Sequence, residues 1–315
     1  MTTDAHAPAA PSADAEALPR RRPSAGRANG KRPRRRVAAH LGLAPFALYV
    51  LLFLGIPTVL AVLSGFFDAQ GKFTIGNVGA LFTPTIFATF LSSFWVSAVT
   101  AIVGAVVGAL VCFALLGTKP QGVLRSMIDS ASSVLAQFGG VMLAFAFIAT
   151  IGIQGFVTVF LRNTLHINIF ENGVWLYQVP GLLLPYSYFQ VPLMIITFMP
   201  AMEGLKPQWA EANATLGGTR LTYWLRVAGP VLAPSFLGSL LLLFANAFSS
   251  YATAAALISQ GAQIVPLQIR AALISETVLG RSNMAGALAL GMIVVMVVLM
   301  WGYSVLQSRT SKWQR

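Results

Sequence analysis

The chain has 315 residues, of which 56% are hydrophobic and 10% are charged. Soluble globular domains usually carry about 25% charged residues, so this composition excludes an ordinary soluble domain and favours a protein surrounded by lipid. The formal net charge is +12, and the single cysteine, Cys112, excludes a disulfide within the chain. The three histidines are far apart in the sequence, so no metal site is predicted.

Residues 1–40 are rich in Ala, Pro and Arg and have no apolar period. Such a segment cannot bury enough apolar surface to offset the entropy lost on ordering, so we expect a disordered basic tail. Its polar stretch is too long for a typical signal-peptide start. We therefore expect the apolar run that follows to be retained as a membrane anchor.

Six apolar segments follow, and they predict an all-α, polytopic membrane domain over residues 41–308. About 20 apolar residues cross the hydrocarbon core of a bilayer as a helix. The second segment contains Gly104 and Gly108, at a spacing that lets helix backbones approach closely, although incidental glycines are the alternative. The spans are predicted at 41–67, within 86–116, within 131–161, near 178–199, near 235–258 and near 285–306.

The basic residues are unevenly divided between the loops. Seventeen of the 21 lie in the N-terminal tail, the loops after the second and fourth spans and the C-terminal tail, 309–315. Lysine and arginine are enriched in cytoplasmic loops, so with an even number of spans both tails are predicted to be cytoplasmic. This topology accounts for the charge without nucleic acid as a partner, and anionic lipid headgroups are the expected contact of the basic tail.

The predicted spans contain almost no ionisable side chains. Charges at membrane depth usually mark ion paths, proton relays or catalysis, so their scarcity argues against a proton-coupled carrier and an intramembrane enzyme. The string nearest to a phosphate-binding loop, Gly65 to Phe73, has the wrong spacing and lacks Ser or Thr after its lysine. We therefore predict no catalytic residue, no metal and no cofactor in this chain.

The loop between the fourth and fifth spans has clear helix signals. Pro207 suits the first turn of a helix, and Gly217 with Gly218 suits its end. This helix has about ten residues and is roughly 15 Å long, which is too short to span a membrane. Thr219 is predicted to cap a second helix that stops at Gly229–Pro230.

This loop, residues 201–234, resembles the "EAA" loop of inner-membrane permeases in binding-protein-dependent ABC importers. The family pattern is Glu-Ala-Ala, three residues, Gly, nine residues and Ile-x-Leu-Pro. Asn213 departs from the second Ala of the pattern, and Gly229 departs from its Leu. The matching positions, with Val227 in place of Ile, are Glu211, Ala212, Gly217, Val227 and Pro230.

The resemblance implies a type I ABC importer permease fold and a non-catalytic role. The short helix after Pro207 would be a coupling helix that seats on a separate ATPase, where ATP and magnesium bind. The expected partners are two ATPase chains, a second permease subunit or a second copy of this chain, and an extracytoplasmic substrate-binding protein. The expected location is the bacterial inner membrane.

Polar side chains near the fourth and fifth spans are candidates for the translocation pathway. Polar groups at membrane depth need partners or water, so they either line a cavity or form hydrogen bonds between helices. The sequence leaves both interpretations open. The candidates are Tyr186, Tyr188, Gln190, Asn246, Ser250 and Tyr251.

The sequence gives less information about the substrate than about the fold. The segment Val265 to Ile269, expected to be external, resembles permeases of the spermidine/putrescine type, and so does the tail from Gln307 to Arg315. Related systems carry aminoethylphosphonate, ferric ion or thiamine. A polyamine or a related small solute is therefore expected. A stand-alone channel, a secondary carrier and a membrane enzyme are the alternative functions.

Overall fold

The structure is a computed structural model that describes residues 44–68, 70–119, 121–171, 173–258, 264–274 and 281–310. The predicted disordered tail, residues 1–40, lies outside the described residues, as do residues 311–315 of the predicted C-terminal tail. The chain divides into two units, Met1–Leu54 and Gly55–Arg315. The described part of the first unit is helical from residue 44, and the rings of Tyr49 and Phe53 pack with their centroids 5.0 Å apart.

Six helical segments of the described chain are long and apolar enough to cross a membrane. In the described residues, β-type pairing is limited to one isolated bridge, between Phe67 and Phe73. The prediction of an all-α protein with about six transmembrane helices is therefore confirmed. The six segments are Ala44–Ser64, Pro84–Leu116, Gly140–Thr164, Val179–Glu203, Arg220–Ser249 and Asn283–Ser308.

Several of these spans are built from more than one helical element. The first begins with α1 (44–50) and the π-helical turn Leu51–Gly55. The 3-10 turn Trp175–Tyr177 precedes the fourth span, and the 3-10 turn Val179–Leu182 begins it. The remaining α-helices are α2 (Ile56–Ser64), α3 (Gly76–Ala80), α4 (Pro84–Leu116), α5 (Val123–Gln137), α6 (Gly140–Ile151), α7 (Phe156–Thr164), α8 (Leu183–Glu203), α9 (Pro207–Thr215), α10 (Arg220–Tyr223), α11 (Gly229–Ser249), α12 (Ala252–Leu257), α13 (Val265–Leu273) and α14 (Arg281–Thr310).

Helices α4, α8 and α11 form the core of the second unit, and α4 lies against α8 with almost no space between the backbones. A β-carbon added at Gly104 would lie 2.5 Å from the Cβ of Gln190, and one added at Gly108 would lie 2.5 Å from the Cβ of Met194. Real β-carbons do not approach so closely. The two glycines therefore allow the helices to pack, which confirms the close-approach interpretation over the incidental one.

The third span was predicted within 131–161; it starts inside that range and ends at Thr164, three residues beyond it. Residues up to Gln137 belong to α5, which packs along α8. The helix ends at Phe138 and Gly139, and Gly140 has a left-handed φ of +72° that a continuous helix does not contain. The span is Gly140–Thr164, with a break between α6 and α7 at Gly152–Gly155.

The fifth span was predicted near 235–258, and both ends were wrong. The helical segment starts at Arg220 and ends at Ser249. Ser250 has an extended backbone with ψ at 111°, so α12 is a separate short helix. The span is thus longer toward the loop that precedes it.

The segment Val265 to Ile269, expected to be external, forms the start of α13. Val265, Pro266 and Leu267 are buried, and the backbone N–H of Val265 donates to the Oγ of Ser93 on α4 at 2.8 Å. This short helix also packs against α14. It therefore belongs to the packed body of the second unit rather than to an exposed loop.

Candidate functional site: the loop between the fourth and fifth spans

The loop between the fourth and fifth spans contains the short helix predicted from its proline and glycines. Helix α9 has nine residues, starts at Pro207 and buries none of its side chains. Lys206 before it has an extended backbone, as expected for a residue followed by proline. Glu211 and Ala212 both lie on this helix and are exposed. Seven of its nine residues are exposed, and Trp209 and Asn213 are half-buried, so α9 presents most of its surface outward.

A hydrogen-bonded glycine turn ends α9. Gly217 has a φ of +75°, its N–H donates to the carbonyl of Ala214 at 3.0 Å, and the N–H of Gly218 donates to the carbonyl of Asn213 at 2.8 Å. This pair of bonds defines a Schellman motif, which favours glycine at the left-handed position. A β-carbon at Gly217 would contact nothing within 4 Å, so the requirement for glycine is conformational and not steric.

Asn213, the first departure from the family pattern, has a structural role in this turn. Its Nδ2 donates to the backbone carbonyl of Thr219 at 3.1 Å. The hydroxyl of Thr219 accepts in turn from the N–H of Thr222 at 3.3 Å, which confirms the prediction that Thr219 caps the next helix. Asn213 therefore ties the end of α9 to the start of the following helix, which an alanine would not do.

The second helix of the loop was predicted to stop at Gly229–Pro230, and this was wrong. The chain passes from α10 through a π-helical turn, Trp224–Ala228, directly into α11. In this turn the N–H of Gly229 donates to the carbonyl of Trp224, five residues earlier. Pro230 has no N–H to donate, and the wider turn accommodates it without breaking the helix.

Gly229, the second departure from the family pattern, is required by the same turn. A β-carbon on Gly229 would lie 2.8 Å from the carbonyl oxygen of Trp224. The Trp224 ring packs edge-on against Phe113 of α4, with centroids 5.0 Å apart. Val227, in the same turn, is half-buried, and Pro230 is exposed. The five motif residues thus lie on one continuous unit formed by α9, the glycine turn and the long helix after it.

A buried arginine lies next to the point where this loop leaves the fourth span. Arg125 on α5 is 7% exposed, and its Nη2 donates to the Oε1 of Glu203 at 2.6 Å, while its Nε donates to the Oδ2 of Asp129 at 3.1 Å. Burial acts to lower the pKa of the guanidinium, but the hydrogen bonds to Glu203 and Asp129 raise it above its ordinary value. Arg125 is therefore charged at any physiological pH.

Three of the six predicted pathway residues take part in hydrogen bonds between segments of the chain. The hydroxyl of Tyr186 donates to the carbonyl of Ser250 at 2.8 Å, and the Nε2 of Gln190 donates to the carbonyl of Leu243 at 2.8 Å. Tyr186 and Gln190 are buried, and the Oε1 of Gln190 has no hydrogen-bond partner. At these positions the geometry matches the interhelical alternative.

The other three pathway candidates are exposed. Tyr188 is 38% exposed and meets the ring of Phe147 edge-on at 6.2 Å. Asn246 is exposed, and Tyr251 is 37% exposed with the Cζ of Arg270 6.0 Å from its ring centroid. They are the candidates that a solute or another chain could reach.

A cavity of about 330 Å³ lies elsewhere, between α4, α11 and α14. Its lining is apolar apart from the hydroxyl of Tyr303, which donates to the carbonyl of Pro234 at 3.1 Å. None of the six pathway candidates lines it. The cavity therefore offers no polar surface for a hydrophilic solute.

Sequence reasoning missed the bond between Arg125 and Glu203. The two residues are 78 positions apart, and no local pattern connects them. The available signal was the pair Arg125 and Asp129, four residues apart with opposite charges, which is typical of one helix face. That pattern could have predicted α5 as a helix outside the spans.

No family model matches the chain. It is 27% identical over 217 residues to the sulfate transport system permease protein CysT of Salmonella typhimurium, covering 67% of this chain and 72% of the relative. It is 25% identical to the probable ABC transporter permease protein y4fN of Sinorhizobium fredii, over 85% of this chain and 46% of the relative. It is 24% identical to the ferric transport system permease protein FbpB of Actinobacillus pleuropneumoniae, over 66% of this chain and 30% of the relative.

Among solved structures, the chain resembles a bacterial ABC transporter involved in the import of the acidic polysaccharide alginate. The TM-score is 0.68 with 15% identity, and the match covers 88% of this chain and 96% of that chain. The relatives are permease proteins, which agrees with the prediction of a non-catalytic transport subunit. The chain is therefore similar in sequence to transport-system permease proteins and similar in fold to a chain of an ABC importer.

Proposed function

We propose that this chain forms half of the translocation pathway of an ABC importer and that α9 is the helix through which a separate ATPase drives it. The observation that carries the proposal is the state of α9: a nine-residue helix between two spans that buries no side chain. Isolated helices of this length are marginal in water, so both of its ends must be held by other means. The proline start and the Schellman end provide that support.

The connection of α9 to the fifth span suits it to transmit force. The glycine turn and the Asn213–Thr219 bond fix the angle between α9 and the next helix. That helix continues without interruption from Arg220 to Ser249 through the π-helical turn. A displacement of α9 would therefore move the fifth span as one body, and the solute pathway beside it would change between outward-open and inward-open forms.

The proposal includes partners and a location. Two ATPase chains would bind ATP and magnesium, and a second permease subunit or a second copy of this chain would complete the pathway. An extracytoplasmic binding protein would deliver the solute; one solved structure of the alginate transporter is a complex with such a periplasmic protein. The chain would lie in the bacterial inner membrane with both termini in the cytoplasm, which places α9 on the side of the ATPase.

The exposed pathway candidates are the residues proposed to meet solute. Tyr188, Asn246 and Tyr251 are open to the surroundings of this chain, whereas Tyr186 and Gln190 hold α8 against the fifth span. The pathway would then lie between two permease subunits, with the exposed group on its wall and the buried pair behind it.

A polyamine is the substrate implied by the resemblance to spermidine/putrescine-type permeases. A specific observation favours a second candidate, an anionic solute. Arg270 lies against Tyr251, and in the described spans the only carboxylate is Glu203, at the end of α8. An arginine on the pathway wall would attract an anion and repel a polyamine. One relative is named for the transport of an anion, sulfate, and another for the transport of a cation, ferric ion.

The test is purification and transport with the whole system. The tagged chain should co-purify with an ATPase. In proteoliposomes supplied with the binding protein, solute should be taken up only when ATP is present on the side of the membrane where the ATPase is bound. Uptake without any ATPase would instead support the channel or carrier alternative. Competition between labelled spermidine and labelled sulfate, with the Arg270→Gln variant beside the unchanged chain, separates the two substrate candidates.

A further inference from the structure

Arg125 joins α5 to α8. In the predicted topology, this contact lies at the cytoplasmic end of the helices. Asp129 is on the same helix as Arg125, one turn later, so that contact stays within α5. The 2.6 Å contact with Glu203 joins α5 to α8. If the bond to Glu203 broke while Arg125 stayed buried, the guanidinium would have neither water nor this partner, so the contact is expected to persist through small movements.

Glu203 is the last residue of α8, and Lys206, the residue before α9, follows three positions later. The N–H of Gly204 donates to the carbonyl of Pro200 and closes the end of α8. The chain therefore leaves the fourth span at a point held by two attachments: the backbone of α8 and the side chain of Arg125.

The other end of α5 leads into the third span. It passes through Phe138 and Gly139 to α6, and the N–H of Gly140 donates to the buried hydroxyl of Thr253 on α12 at 2.9 Å. Helix α12 packs along α6. A movement of α5 therefore reaches the third span and the segment that follows the fifth.

We propose that Arg125 is a positioning residue for the coupling loop: through its bond to Glu203, α5 and the third span move with α9. This rests on the proposed coupling role of α9 and adds a second route to it. Movement of α9 would reach the fifth span through the glycine turn and the third span through Arg125. The ATPase would still bind without Arg125, but its cycle would drive the spans poorly.

The experiment uses the complete transporter in proteoliposomes and measures the solute transported per ATP hydrolysed, together with the amount of ATPase that co-purifies. The variants are Arg125→Gln, Glu203→Gln and the exchange Arg125→Glu with Glu203→Arg. Asp129→Asn is the matched control, because it removes the contact within α5 and keeps the one to Glu203. Arginine at position 203 also lies at a helix C-terminus, where a positive charge is favourable.

We expect both single variants to retain the ATPase and to continue hydrolysis, while the transport ratio falls about tenfold, which is within the usual range of coupling between sites. The exchange should restore most of the ratio, and Asp129→Asn should leave it near that of the unchanged chain. A normal ratio in both single variants would overturn the proposal. If Arg125→Gln yields no protein, the exchange decides: a near-normal ratio supports the proposal, and a low ratio or no protein overturns it.

The variant Glu211→Lys separates this proposal from the proposed function. If Glu211→Lys transports normally with its ATPase bound, α9 is not the docking helix and the proposed function fails. If Glu211→Lys loses transport while the Arg125 and Glu203 variants keep a normal ratio, α9 retains its role and only the second route is wrong.

Discussion

Helices α5 and α9 lie in the two loops that are predicted to face the cytoplasm, and they use their surfaces in opposite ways. Helix α5 buries Arg125 and Ser132 and packs along α8. Helix α9 has no fully buried side chain, and hydrogen bonds at its proline start and its glycine end hold it. Both are short helices outside the spans, so length and location do not separate them. The difference indicates that α5 belongs to the packed body of the chain, and it supports the proposal that α9 is presented to another protein.

The largest effect is expected from reversing the charge on the surface of α9. In Glu211→Lys, a contact to the ATPase would be replaced by repulsion, and uptake should fall by more than about tenfold. The amount of protein in the membrane should stay normal, because Glu211 supports no packing within the chain. Uptake of labelled solute measures the loss of transport, and quantitative blotting measures the amount of protein in the membrane.

Glu171→Lys is the matched control for that change. It makes the same substitution at an exposed residue in a loop predicted to face the outside. Normal uptake in Glu171→Lys is expected. Equal losses in the two variants would show that charge reversal on this chain is harmful wherever it occurs, and the contrast between α5 and α9 would lose its support.

At Ser132, the packed face of α5 should respond to the volume of the side chain. Ser132 is 4% exposed, so Ser132→Leu would force a larger side chain into the contact with its neighbours, at a cost of about 1–3 kcal/mol. Ser133→Leu places the same side chain at an exposed position of the same helix. A lower melting temperature of the purified Ser132→Leu protein, with little change in Ser133→Leu, is the expected result. Equal melting temperatures would mean that α5 is as loosely attached as α9.

The glycine turn should be sensitive to backbone conformation alone. Gly217→Val would place a β-branched residue at a φ of +75°, with a cost on the order of 1–3 kcal/mol. Gly217→Asn is the matched variant, because asparagine tolerates this conformation. Uptake should fall in the valine variant and be largely kept in the asparagine variant. Equal losses would indicate that a side chain at this position blocks a partner and that strain is not the cause.

The smallest effect is expected at Asn213, where the loop departs from the family pattern that it resembles. Asn213→Ala restores the family residue and removes the bond to the carbonyl of Thr219, which costs about 0.5–1.5 kcal/mol. Uptake should fall modestly, and the ATPase should remain bound. An increase in uptake would contradict the view that Asn213 stabilises the glycine turn between α9 and the next helix.

The parts of the fold that the sequence predicted are those decided by local chemistry. Long apolar runs placed the spans, and Pro207, Gly217 and Thr219 placed α9 and its neighbour because proline, left-handed glycine and capping threonine act within a few residues. The π-helical turn was missed, since Gly229–Pro230 normally ends a helix and here the helix continues beside Phe113. The break before the third span was missed because no charged residue separates 131–137 from the apolar run that follows.

The part of the candidate site that the sequence predicted is also the part set by residues close together in the chain. The motif residues follow one another along the chain, so their spacing was enough to place them on one loop. The contacts Arg125–Glu203 and Tyr186–Ser250 join residues more than 60 positions apart. Such contacts depend on how the helices pack, and a single sequence carries no local trace of that packing.

The most direct test of the central claim is whether a bound ATPase covers α9 on the cytoplasmic side. A single cysteine would be introduced as Ala212→Cys in a Cys112→Ala background, and its reaction with a membrane-impermeant thiol reagent would be measured. The account predicts no labelling in intact cells, full labelling in inverted vesicles stripped of the ATPase, and protection when the ATPase is added back. Labelling of Ala212→Cys from outside the cell, or equal labelling with and without bound ATPase, would contradict it.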